Sequence, residues 1–308
     1  MVASMDVVQL RYFERVARLR SVSKAARELR VSQPAVTRQI RLLEQELGVS
    51  LLTRHSRGVE PTEAGARLSD GAQGILRLLE HTRDEVVAKA AAPTGSIAVG
   101  FPPSIGDLVI ASTVASYRAR YPGVTIHLLE AYSDLLRDWL LSAKIDVAVM
   151  TALEPNPLLS SEPLYEEDVW LISSTRFLNG RAKKVRLSEV LRRPLIQTNR
   201  SNIMREILER AAAAQGVSLN VIVEAEALTV IKQLVCRGLG SHVSPYSAVI
   251  RDVQRGDCYG APIQGLSMAR VISYRVDRPV TRALAEMIRL INVEIGKVAA
   301  KSRGFIRV

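Results

Sequence analysis

Between Val7 and Arg18 the apolar residues Val7, Leu10, Tyr12, Phe13, Val16 and Ala17 recur at helical spacing, with arginines elsewhere. A second amphipathic stretch runs from Ser23 to Leu29, turning Ala25, Ala26 and Leu29 inward. A third runs from Pro34 to about Leu47, with Ala35, Val36, Ile40, Leu43 and Leu47 as its apolar positions and Gly48 as its stop. Proline inside a helix costs ~3 kcal/mol but nothing at its first turn, so Pro34 opens a helix rather than breaking one. Ser32 is then the natural cap. "SVSKAARELRVSQPAVTRQI" therefore reads as helix, tight turn, helix. "LLTRHSRGVEPT", Leu51 to Thr62, reads as a hairpin turning at Ser56-Arg57-Gly58 and stopped by Pro61. Thr62 to Ala91 reads as one long helix, capped by Thr62 with Glu63 at its positive end. Along it Leu68, Ala72, Ile75, Leu79, Thr82 and Val86 form a heptad-like seam, suited to a helix–helix dimer or to packing on its own domain. "AAAPTGS", Ala90 to Ser96, breaks the pattern and marks a domain boundary.

Beyond it, "SIAVGF", "VTIHLLEA", "IDVAVM", "DVWLISS", "PLIQT", "VIVEAE" and "ARVISYRV" have the character of short strands. Helical stretches at Asp107–Tyr121, Ser133–Ala143, Asn202–Gln215, Leu228–Gly238 and Pro279–Val298 separate many of them. Alternating strands and helices predict α/β layers with largely parallel sheets.

Length and composition fit this picture: 308 residues, 47% hydrophobic and 24% charged, suit a globular chain of two or three domains. No run of 18 apolar residues suggests a membrane span, and "MVASMDVVQLRYF" lacks the pattern of a secretory signal. Two cysteines, Cys236 and Cys258, make no disulfide framework, so a reducing cytoplasm is the expected compartment. The net charge of +11 is unevenly spread: residues 1–61 hold eleven Lys/Arg against six Asp/Glu, the other 247 hold 31 against 25. The basic N-terminal fifth points to a polyanion. An aromatic content of only 5% disfavours a single-strand binder that stacks bases.

The third helix supplies chemistry for duplex DNA. A helix in the major groove reads base edges with residues near its N-terminus while flanking cations hold phosphate. Gln33 suits adenine, Arg38 guanine or phosphate, and Thr37 a thymine methyl or a phosphate. A wing bearing Arg54, His55 and Arg57 suits the backbone or a neighbouring minor groove. The competing reading is a merely solvated polar face. Elsewhere the chemistry is thin. His55, His81, His127 and His242 show no metal-ligand spacing. His242, Ser244 and Asp252 lack a nucleophile elbow, so no enzyme is expected. Cys236 and Cys258 are free thiols or, less in keeping with their spacing, a redox pair.

Met5 to Leu68, through "QLRYF", "SVSKAA", "LRVSQPAVTRQIRLLEQELG", "LLTR" and "PTEAG", resembles the DNA-binding segment of LysR-type transcriptional regulators. "LLTR" stands where the family more often has an aromatic. A looser resemblance extends to about residue 300, and "CRGLGSHVSP" is similar to the family's Gly-x-Gly stretch. There Gly238 and Gly240 make a helix-to-strand turn rather than a dinucleotide site. The resemblance implies a multidomain chain: an N-terminal all-α winged helix-turn-helix, a long linker helix, and a C-terminal α/β effector domain of two subdomains, similar to periplasmic binding proteins. The implied boundaries are 1–61 for the DNA-binding domain, 62–92 for the dimerisation helix and 93–308 for the effector domain. Within the last, subdomain I takes 94–162 and 266–300, and subdomain II takes 163–265.

The expected DNA-contacting set is Ser23, Ser32, Gln33, Pro34, Thr37, Arg38, Arg41, Arg54 and Arg57. The family's pocket positions fall near "PPSIG", "AYSD", "VMTA" and "QTNRSN", giving Ser104, Ser133, Thr151, Thr198, Asn199 and Arg200 as effector contacts. Helix N-termini near Ser104 and Ser201, with Arg200, favour a carboxylate or other anion. Pro102-Pro103 replaces residues that carry hydroxyls in many relatives. The expected function is an effector-responsive regulator that binds an interrupted palindrome of double-stranded DNA as a homodimer or homotetramer, bending it and relaxing the bend when effector binds. No metal or other cofactor is expected. The alternative is an architectural DNA binder that senses no effector.

Overall fold

The computed structural model describes residues 5–55, 58–87, 93–175 and 184–308. Two compact units divide near residue 92.

The N-terminal unit begins with α1 (Val7–Leu19), α2 (Val22–Leu29) and α3 (Gln33–Leu47). Asp6 opens α1 with a capping box, its carboxylate accepting from Gln9 N while the Gln9 side chain accepts from Asp6 N. Ser21 caps α2, and Ser32 caps α3 just ahead of Pro34. Between them Arg30 takes a left-handed conformation (φ +57°), and Val31 N donates back to Ala26 O at 3.0 Å. Phe13, Val16, Ala25, Val36 and Leu43 fill the core among the three helices. Val7 and Leu47, read as apolar-face positions, are exposed. The wing pairs β1 (Leu52–His55) with β2 (Gly58–Pro61) antiparallel. The proposed turn residues Ser56 and Arg57 lie outside the described residues.

Helix α4 (Glu63–Val87) follows, and the motif "PTEAG" explains its anchorage. Thr62 Oγ1 accepts from Gly65 N at 3.0 Å and donates to Ser50 O at 2.8 Å. A Cβ at Gly65 would stand 2.0 Å from Leu51 O, so only glycine lets the helix start rest on the wing's base. Along the seam Ala72 is buried, Leu68 packs against the N-terminal core, and Ile75, Leu79 and Thr82 are exposed. The side chain of Val86 is outside the described residues.

The C-terminal unit begins with β3 (Gly95–Phe101), a π-helical turn (Gly106–Ile110), α5 (Ala111–Arg120), β4 (Val124–Glu130), α6 (Ser133–Leu141) and β5 (Val147–Thr151). It continues with β6 (Leu159–Ser173), α7 (Leu187–Leu191), β7 (Leu195–Gln197), α8 (Ile203–Ala213), β8 (Val221–Glu224) and α9 (Leu228–Cys236). Then come β9 (His242–Pro245), α10 (Tyr246–Arg255), β10 (Tyr259–Arg275), α11 (Arg282–Lys301) and β11 (Ile306–Arg307). The main sheet has the order β11-β6-β10-β5-β3-β4, with β9 also paired to β6, while β7 and β8 form a second, parallel pair.

The expectation of largely parallel sheets needs correction. Strand β3 runs parallel to β4 and β5, but β10 lies antiparallel to both β5 and β6, and β9 and β11 lie antiparallel to β6. Both β6 and β10 are far longer than the short strands read from the sequence. The expected subdomain boundaries at 162/163 and 265/266 fall within them, so each boundary cuts a continuous strand. Gly238 (φ +81°) turns the chain from α9 toward β9.

Candidate DNA interface and effector cavity

In the N-terminal unit the first half of α3 presents Gln33, Pro34, Arg38 and Arg41 to solvent, with Thr37 half-buried beside them. Ser23 and Ser32 are also exposed. The Ser23 hydroxyl donates to Gln33 Oε1 at 2.9 Å, joining the start of α2 to the start of α3 and orienting the glutamine amide. Glu44, one helical turn below Arg41, accepts from Leu51 N at 2.8 Å and Leu52 N at 3.2 Å, which fixes the wing against the helix. Arg54 projects from β1 and is exposed. Arg57 lies outside the described residues.

The distribution of ion pairs separates two kinds of cation. Arg15 and Arg18 are taken by Glu14 and Glu28, and Arg20 meets Glu60 at 3.0 Å. Arg38, Arg41 and Arg54 meet no carboxylate among the described residues. Arg15, Arg18 and Arg20 are thus neutralised within the fold, while Arg38, Arg41 and Arg54 keep their charge available for phosphate or base edges.

In the C-terminal unit, strand ends and helix starts line a cavity of about 50 Å³. Ser104, Ser133, Thr151 and Thr198 line it, as sequence reasoning expected. Two of them serve the fold: Ser133 Oγ accepts from Thr151 N at 3.0 Å, and Thr151 Oγ1 accepts from Arg270 Nη1 at 2.9 Å. Asn199 lies instead in an adjoining mouth of about 520 Å³. There its amide donates to Glu226 and its carbonyl oxygen accepts from Ser201 at 2.8 Å. Arg200 lines neither space; it is exposed and meets Glu209 at 3.3 Å.

The cation of this cavity is Arg270, only 3% exposed. Its Nε donates to Glu167 Oε1 at 2.8 Å and its Nη2 to Ser104 Oγ at 3.0 Å. Glu167, fully buried, also accepts from Ser247 N at the start of α10. Burial, the largest influence, would depress the Arg270 guanidinium, but the charges of Glu167 and Tyr165 and hydrogen bonding to both together outweigh it and the pKa is raised. His242 also lines the cavity. Burial pushes its imidazole down to about 4, so at neutral pH the ring is uncharged, with Nδ1 bound to Ile196 O at 2.8 Å. Gln197 lines the cavity and is fully buried.

Sequence reasoning missed Arg270, Gln197 and His242. A signal for Arg270 was present: it shares strand phase with the buried Met268 and Ile272, so alternation places a charge on the inward face. Glu167 shares its phase with Tyr165, Val169 and Leu171 in the same way.

A winged helix-turn-helix with free cations and an α/β module with an internal cavity together define a ligand-responsive transcriptional regulator. Comparison with known proteins makes this specific. Residues 7–66 match the family model "Bacterial regulatory helix-turn-helix protein, lysR family" and residues 90–293 match the LysR substrate binding domain. The chain is 31% identical over 245 residues to the nitrogen assimilation regulatory protein nac of Klebsiella aerogenes, covering 79% of each. It is 28% identical over 278 residues to the transcriptional regulator BbuR of Bordetella bronchiseptica, covering 90% of this chain and 86% of that protein. Among solved structures, full-length CbnR complexed with its target DNA superposes with a TM-score of 0.68 at 24% identity, over 94% of this chain and 99% of that one. A full-length OxyR variant from Pseudomonas aeruginosa gives 0.72 at 22% identity, over 94% and 98%. The chain belongs to the LysR family of transcriptional regulators.

Proposed function

We propose that Ser23, Ser32, Gln33, Pro34, Thr37, Arg38 and Arg41 form the DNA-contacting face, that Arg54 and Arg57 extend it along the wing, and that the cavity behind Ser104 and Arg270 holds the effector. The observation that carries this reading is the exposed, ion-pair-free group of Gln33, Arg38 and Arg41 at the capped start of α3. Gln33 and Arg38 read base edges, and Arg41 and Arg54 hold phosphate. In the effector cavity Arg270 takes the place that sequence reasoning gave to Arg200, because Arg270 lines the cavity and Arg200 does not.

The protein acts in the cytoplasm as a homodimer or tetramer, with two recognition helices set on an interrupted palindrome. Effector binds the closed cavity more tightly than the open one, and that difference in affinity shifts the assembly on DNA. None of the described helices is long and apolar enough to cross a membrane. The cavity lined by Ser104, Thr198 and Arg270 favours this reading over an architectural binder that senses nothing. Purified protein incubated with fragmented genomic DNA should enrich sites sharing an interrupted palindrome. Enrichment without a shared sequence would overturn the reading of base edges.

A further inference from the structure

The effector cavity and its mouth carry opposite electrostatic demands. Inside, Arg270 and Glu167 balance each other and His242 is neutral, so the cavity itself favours no net charge on its ligand. The bonds to Glu167, Thr151 and Ser104 use three of the five guanidinium N–H groups of Arg270, and Tyr165 also lies against it, which leaves at most two donors for a ligand carboxylate. The mouth is acidic: Glu130, Asp134 and Glu226 line it, and no lysine or arginine among the described residues does. Asp134 meets Arg137 at 3.8 Å, and Glu226 accepts from the neutral Asn199 amide. Burial, and then the charges of Glu130 and Glu226, push the Tyr132 phenol at the mouth up to about 12.

A second, independent observation concerns hydrogen bonding. Gln197 Nε2 donates to Val243 O at 3.3 Å, which fixes the sense of the amide, since the flipped form would set two oxygens against each other. Its Oε1 is then a buried acceptor with no donor among the described residues, and Thr198 Oγ1, also buried, has no partner among them either. Buried polar atoms of this kind are rare because each forfeits the hydrogen bonds it had in water. A dicarboxylate or plain carboxylate supplies nothing to Gln197 Oε1 and meets repulsion at the mouth. An amino group supplies donors to Oε1 and is attracted by the three carboxylates.

We infer that the effector is a small amino acid or other amino-carboxylate, its carboxylate held by Arg270 and its amino group by Gln197 Oε1 beneath the acidic mouth. This rests on the effector-cavity reading above and narrows it. The size of the site agrees: about 50 Å³ holds a few water-sized groups, each needing roughly 10–15 Å³ on this measure, so the remainder of a larger ligand extends into the mouth.

The test is calorimetric titration of the full chain with the free L-amino acids, β-alanine and γ-aminobutyrate. Each is set against the carboxylate of the same carbon chain without the amine: propionate for alanine, butyrate for γ-aminobutyrate, glutarate for glutamate. At least one amino acid should bind at least tenfold more tightly than its deaminated partner. Gln197→Met should weaken that amino acid roughly 10- to 100-fold. If that buried variant fails to fold, exposed Glu130→Gln with Glu226→Gln decides: it should weaken the amino acid about two- to fivefold and tighten the carboxylate. Binding of no amino acid, equal binding of the deaminated partner, or indifference to these variants overturns the inference. Hydrogen exchange separates this failure from that of the broader reading. A plain carboxylate that protects residues 197–204 and 242–248 sinks only the amino-carboxylate class, whereas protection confined elsewhere sinks the cavity reading too.

Discussion

Arg270 and Glu167 face each other at 2.8 Å with almost no exposure. Removing one partner leaves the other buried and uncompensated, so Glu167→Gln should cost ~3–5 kcal/mol in urea unfolding. The double variant Glu167→Leu with Arg270→Met should cost less than either single change. A double-variant cost equal to the sum of the singles would contradict the pairing. His242 gives a pH signature. Its folded pKa of about 4 lies below the ordinary 6.5, so between these values the unfolded chain binds a proton that the folded chain does not. Its contribution is complete above about pH 6.5 and is lost as pH falls toward 4, by ~3 kcal/mol. Urea midpoints measured across that window should fall with pH, and His242→Gln should flatten the decline. At this scale the exposure of Gln33, Arg38 and Arg41 was legible, because helical spacing and the Ser32 cap decide which residues of α3 face solvent. The cavity was less so. Arg200 looked suitable beside "QTN", yet it is exposed and meets Glu209, whereas strand phase pointed to Arg270.

Elements declared themselves where one face is wet. Helices α1 to α3 and the wing follow their apolar spacing and caps closely, and Thr62 caps α4 as its sequence suggests. Strands β6 and β10 did not show their length, because a bulge between Pro262 and Ser267 interrupts the alternation and both faces are covered in places. Helix α10 was hidden for a related reason: its buried side includes Ser247 and Asp252, which blur the amphipathic repeat. The junction of wing and α4 yields a sharp prediction. Gly65→Ala would drive a methyl into Leu51 O, forcing the backbone apart at a cost of ~1–3 kcal/mol or more. Thermal unfolding should show this loss, and an unchanged melting temperature would mean that α4 does not rest on the wing. Glu44→Ala should free the wing's first amides and weaken operator binding more than it destabilises the fold, read by comparing gel-shift affinity with urea stability.

For the whole molecule, the exposed apolar residues Ile75 and Leu79 lie on the outward part of the α4 seam. If that seam joins two copies, Ile75→Glu with Leu79→Glu should shift sedimentation toward the monomer and abolish cooperative binding to a two-half-site operator. Unchanged sedimentation would place the dimer contact elsewhere. Operator affinity should also fall steeply with salt, and Arg54→Ala should lower the slope of log K against log salt by about 1 for each phosphate the arginine had neutralised. The most direct measurement concerns base reading by α3: the affinity of wild type and Arg38→Ala for the selected operator and for a set of single-base variants of it. Loss of ~1–3 kcal/mol, with discrimination relaxed at one base pair in each half-site, is the predicted result. Arg38→Ala binding the operator and every variant as wild type does would contradict the account.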